Sequence, residues 1–306
     1  MKSTKSYFTK NINILYLAII CTLLWGSAYP AVKIGYKFFS ITSDNIYGQM
    51  LFAGVRFFFA GILTILAGIL LNKKLIIPNR KNILGISLLG LIQTTLQYIF
   101  FYIGLSNTTG VKGSILNSIS PFLVIIICHF ITKDDKINLK KALGSLIGFV
   151  GVIIISLGST TGSSNNFSLF GEGFIILAAV SSSVGSVISK EIANDSDAMT
   201  ITGYQLLIGG FVLTLISFIE GQPNVVILKE GIALLIYLSA LSAIAFTIWT
   251  ILLKYNSAGK ISIYNFLIPI FGSLLSALFL YESVFNIKNI ISLICVCIGI
   301  YIVNKK

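Results

Sequence analysis

Ten apolar runs of about twenty residues constrain this chain more than anything else in it. They cover 12–33, 49–71, 82–105, 113–131, 139–158, 171–190, 199–219, 231–253, 261–280 and 286–303. At about 1.5 Å per residue, a helix of that length crosses the hydrocarbon core of a bilayer. Lipid offers no hydrogen-bond partners to a bare backbone, so each run is expected to be helical. Of the 306 residues only 10% are charged and 56% are hydrophobic, with mean hydropathy +0.93. A soluble domain carries about 25% charged residues, so the class is an all-α integral membrane protein with ten transmembrane helices. Lys2, Lys5 and Lys10 ahead of the first run imitate a leader. The run continues beyond twenty residues through Trp25, Tyr29 and Pro30, and reads as the first membrane helix.

The basic residues fix orientation. With the N-terminus inside, sixteen Lys and Arg fall in cytoplasmic segments, five (Lys33, Lys37, Lys112, Lys229 and Lys288) fall outside, and Arg56 lies within a run. That bias places both termini in the cytoplasm of a cell-membrane protein. The formal net charge of +12 is therefore a topology signal and implies no nucleic-acid partner. The cysteines, Cys21, Cys128, Cys295 and Cys297, all sit in apolar runs. They read as small buried residues, with no disulfide or metal site.

Two runs carry an asparagine and a proline in their interiors: Asn117 with Pro121, and Asn265 with Pro269. Lys112 and Lys260, and Ser114 and Ser262, match at the same offset of 148. So do Thr94 with Ser242, Tyr98 with Phe246, Phe101 with Trp249, Asp134 with Glu282, Asn138 with Asn286 and Gly151 with Gly299. The first runs of each half match at 157, Trp25 against Ser182 and Lys33 against Lys190. This is an internal repeat. An uncharged linker, 159–170, separates a first repeat, 1–158, from a second, 171–306. Five runs per repeat is odd, so the halves enter the membrane from opposite sides and form two inverted five-helix repeats. Such halves suit alternating access.

Proline has no N–H, so Pro121 and Pro269 are expected to free the carbonyls of Asn117 and Asn265. An unpaired carbonyl or carboxamide in lipid costs several kcal/mol, so these groups should face protein, water or substrate. Pro30 does the same to Gly26, beside Trp25, Ser27 and Tyr29. Gln93, Gln97 and Tyr98 put amides and a phenol in the third run; Ser186 lies in the sixth and Trp249 in the eighth. Amides and hydroxyls beside aromatics suit a small zwitterion. The candidate binding set is therefore Trp25, Ser27, Tyr29, Gln93, Gln97, Tyr98, Asn117, Ser186, Trp249 and Asn265, with Pro30, Pro121 and Pro269 as helix breaks.

Arg56 is read as a structural charge on a peripheral helix, either in an ion pair with Glu172 as the candidate partner or snorkelling outward, against the alternative of a ligand for a substrate carboxylate. Glu282 is a second structural charge. His129 reads as an interface residue near the end of the fourth run. Every acidic residue falls in a loop or at the end of a run, so no proton or sodium carrier is expected at midplane.

The segments WGSAYPAVK at 25–33, Arg56–Phe57 and YIGLSNTTGVKGSILNSISPF at 102–122 resemble the drug/metabolite transporter superfamily in its EamA-like branch. The stretch 252–283, LLKYNSAGKISIYNFLIPIFGSLLSALFLYES, resembles the family's second signature. Ser182 stands where that family often has Trp. The resemblance implies ten helices, termini inside, and export or exchange of small metabolites, often amino acids. The expected partners are a small-molecule substrate and the bilayer, in a monomer or weak homodimer without cofactor. The competing reading is a polytopic membrane enzyme or sensor. No His-rich cluster, intramembrane Ser/His/Asp set or soluble domain speaks for it.

Overall fold

The computed structural model describes residues 2–131, 136–156, 167–219, 221, 223–226, 228–282 and 287–304. Most of the expected linker (159–166), Asp134 and Asn286 lie outside them. The chain forms α1 (Asn11–Phe38), α2 (Ile46–Asn72), α3 (Ile83–Ser106), α4 (Gly110–Ile131) and α5 (Leu139–Ser156). It continues as α6 (Leu169–Ala193), α7 (Ala198–Ile219), α8 (Lys229–Tyr255), α9 (Ala258–Leu280) and α10 (Ile287–Asn304). Among the described residues, eight helices, α1–α4 and α6–α9, are long and apolar enough to cross a membrane. α5 and α10 are 18 residues each. The chain is a multi-pass membrane protein.

Most helices overrun the apolar segments that announced them, because their ends are set by caps. α4 starts at Gly110, where the Thr109 hydroxyl accepts the Lys112 N–H at 3.1 Å. α9 starts at Ala258, where the Ser257 hydroxyl accepts the Lys260 N–H at 3.4 Å. A separate helix, Lys2–Thr9, precedes α1. The Phe8 ring stacks on Tyr255 at 5.6 Å, and Asn256 donates to the Phe8 carbonyl. That helix was not expected from so polar a segment.

The helix pairs have a regular pattern. α2 packs on α7, α5 on α10 and α4 on α9. α1 packs on α8 and α9, while α6 packs on α3 and α4; α2 also meets α8, as α7 meets α3. Exchanging every helix for the one five places further on leaves these pairs unchanged. Side-chain burial gives helices in lipid little drive to associate, so close packing of small residues matters most. A Cβ on Gly54 would lie 3.0 Å from the Gly210 carbonyl, and one on Gly61 would lie 2.8 Å from that of Gly203. Gly54 and Gly61 correspond to Gly203 and Gly210 at an offset of 149. Each glycine thus meets its neighbour's counterpart, the reciprocal contact of a two-fold relation. At α5 and α10, Ser292 donates to the Gly151 carbonyl at 2.6 Å, and a Cβ on Gly299 would lie 2.6 Å from the Gly144 carbonyl.

Both Asn/Pro helices break where proline removes a donor. α4 tightens into a 3₁₀ turn at Asn117–Ile119, and α9 does so at Ile263–Phe266. α3 carries a π-helical segment, Gly90–Leu96, and α6 opens with another, Leu169–Gly173. No sequence signal marked either.

The loops gather at two ends. At one, Val226 N–H donates to the Phe39 carbonyl and Asn45 to that of Asn224, and Lys112 pairs with Glu172. At the other, Asn82 and Lys254 both bond Ser196, and Lys260 donates to Asn11.

Candidate functional site

The two broken helices cross at the centre of the bundle. Gly272 leaves room for Ser114, whose Cβ would be 2.6 Å from a Cβ there, and Ser114 and Ser273 share a hydrogen bond at 3.3 Å. Gly26 of α1 lets Phe271 approach in the same way. Beside this crossing lies a cavity with about 60 Å³ of space for the centres of water molecules. A single water needs about 10–15 Å³ by that measure, so a few waters or a small polar headgroup fit.

Nine of the ten candidate binding residues meet there. Trp25 and Tyr29 come from α1, Gln93, Gln97 and Tyr98 from α3, and Asn117 from α4. Ser186 comes from α6, Trp249 from α8 and Asn265 from α9. Ser27 does not line the cavity: its hydroxyl lies 2.6 Å from that of Tyr237 and bonds the Leu24 carbonyl. One turn fixes the difference. Trp25, Ala28 and Tyr29 lie at i, i+3 and i+4 on one face, and Ser27 is off it. The same period identifies most of the lining residues that were missed. Ala28, Phe101, Ser120, Ser182, Phe246 and Ile268 each lie three or four residues from a candidate.

The walls are matched. Tyr98 and Phe246, Phe101 and Trp249, Asn117 and Asn265, and Ser120 and Ile268 all line the cavity at the 148 offset. Trp25 and Ser182, and Tyr29 and Ser186, do so at 157. The aromatic members form an edge-to-face frame. Trp25 meets Trp249 at 5.1 Å and Phe246 at 5.4 Å, and Tyr29 meets Phe101 at 5.3 Å.

One expected detail changes. The Asn117 carbonyl is not left open by Pro121; the Ser120 N–H takes it in the 3₁₀ turn. In α9 the Leu267 N–H reaches back to the Tyr264 and Asn265 carbonyls. Shortening the helical step supplies the lost donor. What stays open is side-chain chemistry: Trp25 Nε1, Gln97 Oε1 and Asn265 Oδ1 are buried without a hydrogen-bond partner among the described residues.

Arg56 also departs from expectation. It is 1% exposed and lines the cavity from α2, so its position is central. Glu172 pairs with Lys112 instead. Arg56 Nε donates to Ser242 Oγ and Nη1 to Tyr102 Oη, each at 3.0 Å, and its guanidinium stands 4.7 Å from the Phe57 ring centre. Glu282 lies away from the cavity, where its carboxylate accepts the N–H groups of Gly110 and Val111 at 3.0 and 2.9 Å. It caps α4, where the helix dipole favours a negative charge. His129 Nδ1 accepts the Ile137 N–H at 3.2 Å.

Apolar helices around a cavity lined by amides, hydroxyls and aromatic rings fit a polytopic membrane protein of the transporter class. Comparison with known proteins makes this specific. The model of the EamA-like transporter family matches the chain twice, over residues 12–157 and 169–305. The chain therefore belongs to the EamA-like transporter family, within the drug/metabolite transporter superfamily. It is 30% identical over 72% of its length to a chloroplastic WAT1-related protein of Arabidopsis thaliana, a match that spans 54% of that protein. It is 25% identical to the uncharacterized transporter YoaV of Bacillus subtilis, over 95% of this chain and 96% of that one. An uncharacterized transporter of Archaeoglobus fulgidus is 26% identical over the same shares. A solved crystal structure shares the fold, with TM-score 0.75 and 16% identity over 96% of this chain and 97% of the other.

Proposed function

We propose that this protein is a carrier, without enzymatic activity, that moves small metabolites, amino acids or related compounds, by alternating access. Its ten spans act as two inverted five-helix repeats, 1–158 and 171–306, joined by the linker 159–170. The observation that carries this reading is the cavity walled by matched residues of both halves. The exchange symmetry of the helix pairs and the reciprocal glycine contacts support it. Two similar halves around one site can trade inward-open and outward-open forms. Trp25, Tyr29, Gln93, Gln97, Tyr98, Asn117, Ser186, Trp249 and Asn265 contact substrate, and the breaks at Pro121 and Pro269 let α4 and α9 bend. Transport is export or exchange, and the site needs no cofactor. The carrier works as a monomer or weak homodimer in the cell membrane, with both termini cytoplasmic.

Counterflow of radiolabelled amino acids in proteoliposomes tests the substrate and the site together. Uptake of at least one is expected, with a fall of about tenfold or more in Asn265→Ala, the loss of one buried hydrogen bond or more at the site. No uptake of any amino acid overturns the substrate class. Uptake untouched by both Asn117→Ala and Asn265→Ala overturns the paired-asparagine site.

A further inference from the structure

Four lining residues, Ala28, Arg56, Gln93 and Gln97, have no counterpart in the opposite wall, and of the lining residues only Arg56 is charged. The glycines of α2 and α7 correspond at an offset of 149, and this makes Gln205 the counterpart of Arg56. Gln205 is neutral and donates its Nε2 to Gln93 Oε1 at 3.0 Å. Arg56 therefore puts a full positive charge on one wall only. A guanidinium carries five N–H donors, and among the described residues two are used, both on neutral oxygens. Among the described residues no carboxylate pairs with it. The Phe57 and Tyr98 rings, at 4.7 and 5.9 Å from its central carbon, soften the burial without neutralising the charge.

We infer that Arg56 is the specificity residue of the site: it binds the carboxylate of the substrate, so the transported compounds are small organic carboxylates. This rests on the carrier reading and names the residue that selects its substrate. A planar guanidinium matches a carboxylate in a two-bond fork and becomes neutralised by it. Asn265 Oδ1 and Gln97 Oε1, the unpartnered acceptors of the same cavity, suit an ammonium. An α-amino acid carries both groups.

The test uses full-length protein in proteoliposomes and counterflow of radiolabelled L-serine, L-leucine and L-phenylalanine. Each is competed by the unlabelled amino acid, by its carboxamide, and by the amine that lacks the carboxyl group. The wild type should favour the acid over the carboxamide by about 10- to 100-fold, the worth of a charge-assisted pair. Arg56→Gln should lose most of that preference, and Arg56→Lys should keep part of it. Equal competition by acid, carboxamide and amine in the wild type overturns the inference and leaves the carrier standing. That comparison needs no variant, so a misfolded Arg56→Gln does not blunt it. No counterflow of any of the three overturns the amino-acid substrate class, and this inference with it.

Discussion

At Gly272 the crossing of the two broken helices leaves no room for a side chain. The Cβ of an alanine there would stand 2.6 Å from the Ser114 Cβ, an atom fixed to the backbone of α4. Gly272→Ala should cost about 1–3 kcal/mol through overpacking, read as a lower melting temperature in detergent. Gly85→Ala makes the control. Its Cβ would meet only the outer part of the Ile192 side chain, Cδ1 at 3.0 Å and Cγ1 at 3.3 Å, which can swing aside, so its melting point should hardly move. The same scale explains what the sequence could show. Asn117 and Asn265 stood out because a carboxamide in an oily helix demands a partner, and that demand turned them to the cavity. Ser27 looked equal to Trp25 and Tyr29 by composition, and only its phase on the helix separates them. The bearing of Arg56 on the cavity depends on how α2 is rotated against α7. That rotation is set by glycine contacts between segments about 150 residues apart, which a linear reading does not weigh.

At the scale of the element, each Asn/Pro helix exchanges stability for a bend. Proline inside a helix costs about 3 kcal/mol, relieved here by the 3₁₀ turns at Asn117–Ile119 and Ile263–Phe266. Pro121→Ala restores the N–H and should raise the melting temperature while slowing counterflow; a variant that is less stable, or equally fast, would refute a role in bending. The end of α4 offers a second prediction. Glu282 takes two N–H groups of that helix's first turn, so Glu282→Ala leaves both open at a partly buried cap. The expected loss is about 0.5–2 kcal/mol, with Glu282→Gln intermediate because it keeps an acceptor and loses the charge. The existence of the elements was legible because bilayer thickness dictates their length. Their fine structure was less so. Lys2–Thr9 is held by packing against α8, and the π-helical segment at Gly90–Leu96 packs on α7. Both depend on tertiary neighbours.

For the whole molecule, orientation is the property that gives export its direction. Two ends are distinct: one gathers the loops around Phe39–Asn45 and Asn107–Lys112, the other gathers Asn72–Asn82, Lys190–Asp197 and Lys254–Lys260. The second end carries Lys73, Lys74, Arg80, Lys81, Lys190, Lys254 and Lys260. Cations are retained on the cytoplasmic side during insertion, so that end should face the cytoplasm. Ser43 and Asn79 are exposed and lie near opposite ends. In a background with the native cysteines replaced by serine, Ser43→Cys should react with a membrane-impermeant maleimide in intact cells. Asn79→Cys should react only after permeabilisation. The reverse pattern would invert the molecule, and with it the meaning of export. Equal labelling of each site from both sides would mean that the chain inserts in two orientations, and the charge bias would then not be setting its topology.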